Sequence, residues 1–425
     1  MDIYKVLGKS FRCKYCGRTH LIPTKKVLME ENALIKLPRF IGSLIPKANT
    51  ILLLADEITF QVAGETCTQL LKDKYRVVST ILTPRKYPTV HAESIYFSSI
   101  RRKAQDCDII LTIGTGSITD MGKYIGTELK IPVIAVPTAP SMNAYTSAVS
   151  AYIEKGIKIT APITPALGVI ADTNIIANSP MELIQAGFAD SQAKSFANAD
   201  WQISAVLSGE TFCSLPLILF SSVEKQYKAH GDRLIKRDKK TILALMEGLN
   251  LGGFSMVIAG KSAPASGGEH LISHFLDMVA HKKELDVFSY HGLQVGVGVV
   301  TSARLFERLR EIKSPLIKKI DYDAELKKLF GKDTGKFRDK FSKKLPYLKK
   351  IAERWDEIIP ILSQPPASKD IIKYLKKAQC PTTFAEIGVN KTLAKQTVLS
   401  ARYIRDRITV LDLATELGVL QDVLE

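Results

Sequence analysis

The chain is short of the features that would assign its class at a glance. Its 425 residues include only six cysteines, seven histidines and two tryptophans. Of the cysteines only Cys13 and Cys16 are close together, which excludes a disulfide framework and favours a reducing compartment. No stretch reaches the roughly 18 uninterrupted apolar residues of a membrane span, so no transmembrane segment is expected. The start, MDIYKVLGKS, lacks an apolar h-region, so secretion is not expected and a cytoplasmic protein is. Internal repeats and low-complexity segments are lacking too. Acidic residues are the minority, 43 against 59 Lys and Arg, for a formal net charge of +16.

What is present is a chain that can bury a sizeable interior. With 46% apolar and 24% charged residues it reads as globular, and its length fits two domains. The positive excess has three readings: nucleic acid, an anionic membrane surface or an anionic small substrate. Between Arg304 and Arg354 there are 17 Lys/Arg against 8 Asp/Glu. In KKLPYLKK the charges alternate with apolar residues at helical spacing, the mark of a solvated helix face.

From residue 51 short β-type runs alternate with helical stretches. ILLLA (51–55), VVSTIL (77–82), DIILTI (108–113) and PVIAV (132–136) read as buried strands of a parallel sheet with crossover helices. Ligands are then expected beyond the strands' carboxyl ends. After Ser179-Pro180, with Glu182 following, strand signals become few. AKSFANADWQISAVL, KKTILALMEGLNLGG and HLISHFLDMVAH read as helices. The expected fold class is therefore α/β: a Rossmann-like nucleotide-binding domain over residues 1–178, followed by a mostly α-helical metal- and substrate-binding domain over 179–425.

DIILTI runs into GTGSITDMG. The small residues Gly114, Thr115, Gly116 and Ser117 allow backbone amides to approach an anion, and a helix starting near Ile118 aims its positive end there. The loop is neither the GxGxxG fingerprint nor a P-loop, and an ordinary tight turn is the competing reading. After PVIAV, the segment PTAPSMNAYTS groups Thr138, Ser141, Asn143 and Ser147. Such a hydroxyl and amide cluster can also satisfy its own backbone. Asp56, after ILLLA, is placed to accept hydrogen bonds from a ribose.

His270, His274 and His291 lie within about twenty residues, and the first two share a helical face at i, i+4. Glu269 precedes His270 instead of following it, which excludes the HExxH protease arrangement. Asp190, midway along an otherwise apolar helical stretch, needs a compensating partner such as a divalent cation. An Asp with two His leaves positions open on such an ion for a substrate oxygen. At the other end of the chain, CKYCGRTH offers Cys13, Cys16 and His20 as three ligands of a structural zinc. The competing reading is a reduced surface turn, and the fourth ligand is open between Cys107 and another subunit.

In combination, the GxGS-type loop, PTxxS, GFxD, GxEHxxSHF and a later HG resemble the metal-dependent polyol dehydrogenase superfamily that includes glycerol dehydrogenases. IPVIAVPTAPSMNAYTS, GFADSQAKSFANADW, PASGGEHLISHF and RYIRDRITVLDLATELGVL are most similar to the sn-glycerol-1-phosphate dehydrogenases. The resemblance implies Asp190, His270 and His291 as ligands of one catalytic divalent metal, zinc or nickel, with His274 facing the substrate. It implies NAD or NADP held at Asp56, Gly114, Thr115, Gly116, Ser117, Ile118, Thr138, Ser141 and Ser147, and substrate contacts from Asn143, Asp190 and His274. Where the family motif reads SMDG, this chain has Asn143 and Ala144, so a carboxylate is replaced by an amide.

The implied reaction is reduction of dihydroxyacetone phosphate by NAD(P)H to sn-glycerol 1-phosphate for ether-lipid backbones, with Lys158 a candidate for drawing in the phosphate. A homo-oligomer is expected, and no nucleic-acid partner. The alternatives are an unphosphorylated polyol such as glycerol, a sugar-phosphate cyclase on the related fold, and a nucleic-acid-binding protein using the basic segment.

Overall fold

The structure is a computed structural model that describes residues 2–85 and 87–423. Its main sheet has six strands, all paired in parallel: β3 (Lys26–Glu30), β4 (Thr50–Asp56), β5 (Arg76–Leu82), β6 (Ile109–Gly114), β7 (Val133–Pro137) and β10 (Gly168–Asp172). Their spatial order is β3-β10-β7-β6-β4-β5. Two antiparallel hairpins stand apart: β1 (Ser10–Arg12) with β2 (Thr19–Leu21), and β8 (Val149–Glu154) with β9 (Ile157–Pro162).

Continuous apolar runs form the central strands because both faces of the sheet are covered. Ile51, Leu53, Ile109, Leu111 and Ile113 enter one core with the helix Leu37–Leu44. The alternate residues Leu52, Leu54 and Ile110 enter another, with Ile118, Met121 and Ile125 of the helix Gly116–Leu129. Full burial of each Leu or Ile contributes about 1.5–3 kcal/mol. All four runs read as strands are strands, within a residue at each end. β3 and β10 are additional. β3 is an edge strand whose residues are half-buried or exposed, and it lacks the solid apolar run that marks its neighbours.

The order of the sheet fixes where ligands go. From β4 the chain runs outward to β5, then returns to lay β6 on the other side of β4 and continues through β7 to β10. The order therefore reverses between β4 and β6. Asp56 and Gly114 end those two strands, at the topological switch point of the sheet.

By its contacts the chain divides into two units. The first runs to Ser191 and adds Ser214–Ser262; the second is Gln192–Cys213 with the chain from Ala263 onward. The first holds every strand among the described residues, and the second is helical. In the first, the helix Lys239–Ala259 is long and apolar enough to cross a membrane, but 78% of its apolar window is buried inside the structure, as in a core helix. In the second, the segment Arg304 to Arg354 buries Leu326, Phe337, Phe341 and Leu348 and turns most of its lysines to solvent, the solvated face that KKLPYLKK predicts. Lys344 is the exception. It is fully buried, 2.7 Å from Asp412 and donating to the Arg402 carbonyl at 2.6 Å.

Candidate active site

In the first unit the two loops expected to hold a nucleotide are coupled. Gly114 ends β6, Thr115 precedes the helix Gly116–Leu129, and Ile118, in that helix's first turn, is fully buried. The Thr138 amide donates to the Gly114 carbonyl at 3.2 Å, joining the loop after β7 to the loop after β6. Asp56 caps the short helical turn after β4: its carboxylate accepts from the Thr59 amide at 2.7 Å and from the Thr59 hydroxyl at 2.9 Å. Thr138 and Ser141 are buried at the start of the second loop.

Ser147 has a structural task that the hydroxyl cluster by itself does not show. Lys123, fully buried on the Gly116–Leu129 helix, donates to the Ser147 hydroxyl at 2.9 Å and to the carbonyls of Ala144 at 2.6 Å and Val149 at 3.0 Å. Asp120, one turn earlier, lies 3.2 Å from the same ammonium and accepts from the Ala151 amide at 3.0 Å. Burial lowers the Lys123 pKa and raises that of Asp120, and their mutual attraction opposes both shifts. Acceptors all round the nitrogen mark it as an ammonium. This pair pins the second loop to the first helix. A signal for it exists in the sequence, since ITDMGKYIG places a carboxylate and an amine at i, i+3 inside an otherwise apolar helix. Lys158 lies on β9, with its charge reaching Asp120.

Asn143 is mostly buried, just before the turn Ala144–Thr146. Asp190 is the penultimate residue of the helix Met181–Ser191, not its middle, and is buried. Burial and the Glu224 charge raise the pKa of the buried Tyr227 phenol, and the Asp190 charge adds to them. The glycine of GFAD has a steric reason: a Cβ on Gly187 would collide with the Pro140 carbonyl oxygen, so only glycine lets this helix lie against the second loop.

In the second unit the three histidines converge. His270 and His274 are on the helix Gly268–Lys282, and His291 is the first residue of the helix His291–Arg310. Ring centroids are 5.3 Å apart for His270 and His291, 5.6 Å for His274 and His291, and 6.1 Å for His270 and His274. Gly298 permits the approach of the two helices, since a Cβ there would stand 2.5 Å from the Glu269 carbonyl oxygen.

Two of the rings are held by their neighbours. His270 Nδ1 lies 2.9 Å from Glu269 Oε1; a carboxylate only accepts, so Nδ1 is the donor, and in the neutral ring Nε2 keeps its lone pair. His291 Nδ1 lies 3.0 Å from the Ser273 hydroxyl. A buried imidazole held through Nδ1 with Nε2 basic is the form that ligates a divalent cation, and the donor set fits one.

The start of this helix is itself anchored. Asp200 accepts from the Gly268 amide at 2.8 Å and the Val410 amide at 2.7 Å. Burial and the nearby Glu269 charge push its carboxyl well above the usual range. Arg407 donates to the Ser266 carbonyl. RYIRDRITVLDLATELGVL thus supplies part of the frame beneath the histidines, through Arg407 and Val410. In the same motif Arg402 forms a buried network with Asp412 at 3.1 Å and Glu416 at 2.6 Å. Sequence reasoning does not single out Glu269, Ser273, Asp200 or Arg407 as parts of the site. Asp200 carries the same signal as Asp190, a carboxylate in an apolar helical stretch.

Relatives of known name now bear on this architecture. The family model "Iron-containing alcohol dehydrogenase" matches residues 28–180. A glycerol-1-phosphate dehydrogenase [NAD(P)+] of Bacillus licheniformis is 27% identical over 100% of this chain and 97% of its own length. One of Thermococcus kodakarensis is 31% identical over 69% of this chain and 82% of its own. The chain belongs to the glycerol-1-phosphate dehydrogenase family. The crystal structure of a probable glycerol dehydrogenase from Sinorhizobium meliloti matches with a TM-score of 0.62 at 14% identity, covering 94% of this chain and 97% of that one. That likeness establishes that this glycerol-1-phosphate dehydrogenase family member shares the glycerol dehydrogenase fold, as the sequence resemblance implies.

Proposed function

We propose that the chain reduces dihydroxyacetone phosphate with NADH or NADPH to sn-glycerol 1-phosphate. The observation that carries the reading is the cluster of three histidines, two of them fixed through Nδ1, in a chain whose relatives bear that enzyme's name. His270 and His291, with Asp190 from the first unit, are the proposed ligands of a divalent cation, zinc or nickel. Such an ion, when bound, supplies Lewis-acid polarisation of the ketone. Glu269 and Ser273 keep the two imidazoles oriented. His274 faces the substrate and belongs to the proton path to the oxygen that becomes the new hydroxyl, a task suited to imidazole. Asn143 contacts the substrate through its amide.

The nicotinamide cofactor belongs at the switch point, over Gly114 to Ile118, with Asp56 toward the ribose and Thr138 and Ser141 flanking. Ser147 contributes indirectly, through the loop that Lys123 pins. We further propose a cytoplasmic homo-oligomer that supplies the glycerophosphate backbone of ether lipids.

The test is oxidation of NADPH and NADH by the purified protein with dihydroxyacetone phosphate, before and after chelation, with the product's chirality assigned. Activity that is absent, or indifferent to chelators, sinks the proposal; equal turnover of unphosphorylated dihydroxyacetone transfers it to a polyol substrate. His270→Ala abolishes metal retention, whereas His274→Ala leaves the ion bound and depresses turnover. Equal loss of metal in both variants overturns this division of roles.

A further inference from the structure

We infer that the first hairpin is closed by a structural zinc ion on Cys13, Cys16, His20 and Cys213. The four ligand atoms all lie within 4.8 Å of one another. Cys16 Sγ is 3.2 Å from His20 Nε2. Zinc–sulfur bonds of about 2.3 Å around a tetrahedral ion place sulfurs roughly 3.8 Å apart, so the cluster needs only a small contraction to take the metal.

The fourth ligand is invisible in sequence because Cys213 lies far along the chain from the hairpin that carries the other three. Cys213 is buried, and the next residue, Ser214, is where the chain re-enters the first unit. Cys107, the other cysteine considered, is engaged elsewhere: its thiol donates to the Lys103 carbonyl.

Local structure supports the assignment independently. Between β1 and β2 the chain reverses at Gly17 with φ of 69°; the Gly17 amide donates to the Cys13 carbonyl at 2.9 Å and the Cys13 amide to the Arg18 carbonyl at 2.8 Å. This turn gathers Cys13 and Cys16. The two strands have three residues each, in the pattern exposed, half-buried, exposed, so they bury almost no apolar surface of their own. Such a hairpin is marginal without a staple. His20 also hydrogen-bonds the Ile258 backbone, the kind of outer contact that orients a ligating imidazole. Three thiols with an imidazole exceed what a dithiol redox pair requires, and four protein ligands leave no open position for chemistry.

Binding converts three thiols to thiolates and releases their protons; the resulting centre carries one net negative charge. Arg12, Lys14 and Arg18, within the same short segment, offset it.

The experiment uses the full chain carrying His270→Ala and His291→Ala, which removes the proposed catalytic ion and keeps this question separate from the dehydrogenase reading. Elemental analysis is expected to find about one zinc per chain, and zinc K-edge absorption a shell of about three sulfurs and one nitrogen. Adding Cys213→Ser is expected to reduce zinc to background and to open the hairpin to trypsin at Arg12, Lys14 and Arg18, while Cys107→Ser keeps the metal. Retention of zinc in the Cys213→Ser background, a shell without sulfur, a Cys13–Cys16 disulfide, or no zinc in the parent each overturns the inference. If Cys213→Ser does not yield soluble protein, the absorption spectrum and zinc content of the parent decide.

Discussion

Glu269 and His270 are adjacent in sequence and bonded through their side chains, Oε1 to Nδ1 at 2.9 Å, inside the second unit. Because Glu269 Oε1 also accepts from the Gly267 amide at 2.6 Å, one carboxylate orients the ring and closes the start of the helix that carries it. Replacing Glu269 by Ala frees the imidazole to change tautomer and rotate. Metal affinity is expected to fall by about 10- to 100-fold, read by competition with a chromophoric chelator. Unchanged affinity refutes the positioning role.

Lys123 and Asp120 form a buried pair in which the ammonium also donates to the Ala144 and Val149 carbonyls, at the second loop and the start of β8. Lys123→Met leaves the Asp120 carboxylate without its counter-ion and is expected to cost about 3–5 kcal/mol. The Asp120→Leu, Lys123→Met double variant recovers part of this loss, and the shortfall from additivity measures the pair. Chemical denaturation gives the energies. Calorimetric titration with NADPH is expected to show weaker binding in both variants, since the loop has lost its pin.

Asn143 stands where the sequence resemblance implies a carboxylate. Restoring the charge with Asn143→Asp adds repulsion toward a phosphate dianion, of about 2 kcal/mol at roughly 4 Å even at the dielectric of water, or roughly thirtyfold in affinity. The expected result is a KM for dihydroxyacetone phosphate raised by about that factor, with the KM for unphosphorylated dihydroxyacetone unmoved. A KM that rises equally for both ketones removes the electrostatic explanation.

Asp108, exposed just before β6, accepts from the Asn49 amide at 2.8 Å and the Thr50 amide at 2.9 Å, and these bonds hold its pKa below the usual carboxylate value. A depressed folded pKa means stability that is present above the unfolded value of about 3.9 and is lost as pH falls through the folded one. Asp108→Ala is expected to lower the melting temperature slightly at pH 7, by about 1–2 °C after solvent screening. That difference shrinks toward zero in acid. A gap that persists at the lowest pH assigns the effect to packing instead.

Much of the site is legible because chemistry and steric demand leave marks on neighbouring residues. The i, i+4 spacing of His270 and His274 sets a shared helical face, and the solid runs of β4 to β7 mark a sheet covered on both sides. The glycine of GFAD is readable only as part of a family pattern, and its reason, the Pro140 carbonyl, lies in a distant loop of the chain. Polar groups that hold the site rather than form it are not legible. Asp200 acts on residues 68 and 210 positions distant, and no periodicity carries such a pairing.

The sequence by itself determined the α/β class, the buried strands, the glycine loop at a strand's carboxyl end and the histidines as a group, since each depends on residues close in the chain. Only the tertiary structure decided that the strand order reverses between Asp56 and Gly114, that Lys123 occupies Ser147, and that Cys213 joins Cys13, Cys16 and His20. Those relations are set by which surfaces meet when apolar faces are buried, and chain separation places no limit on them.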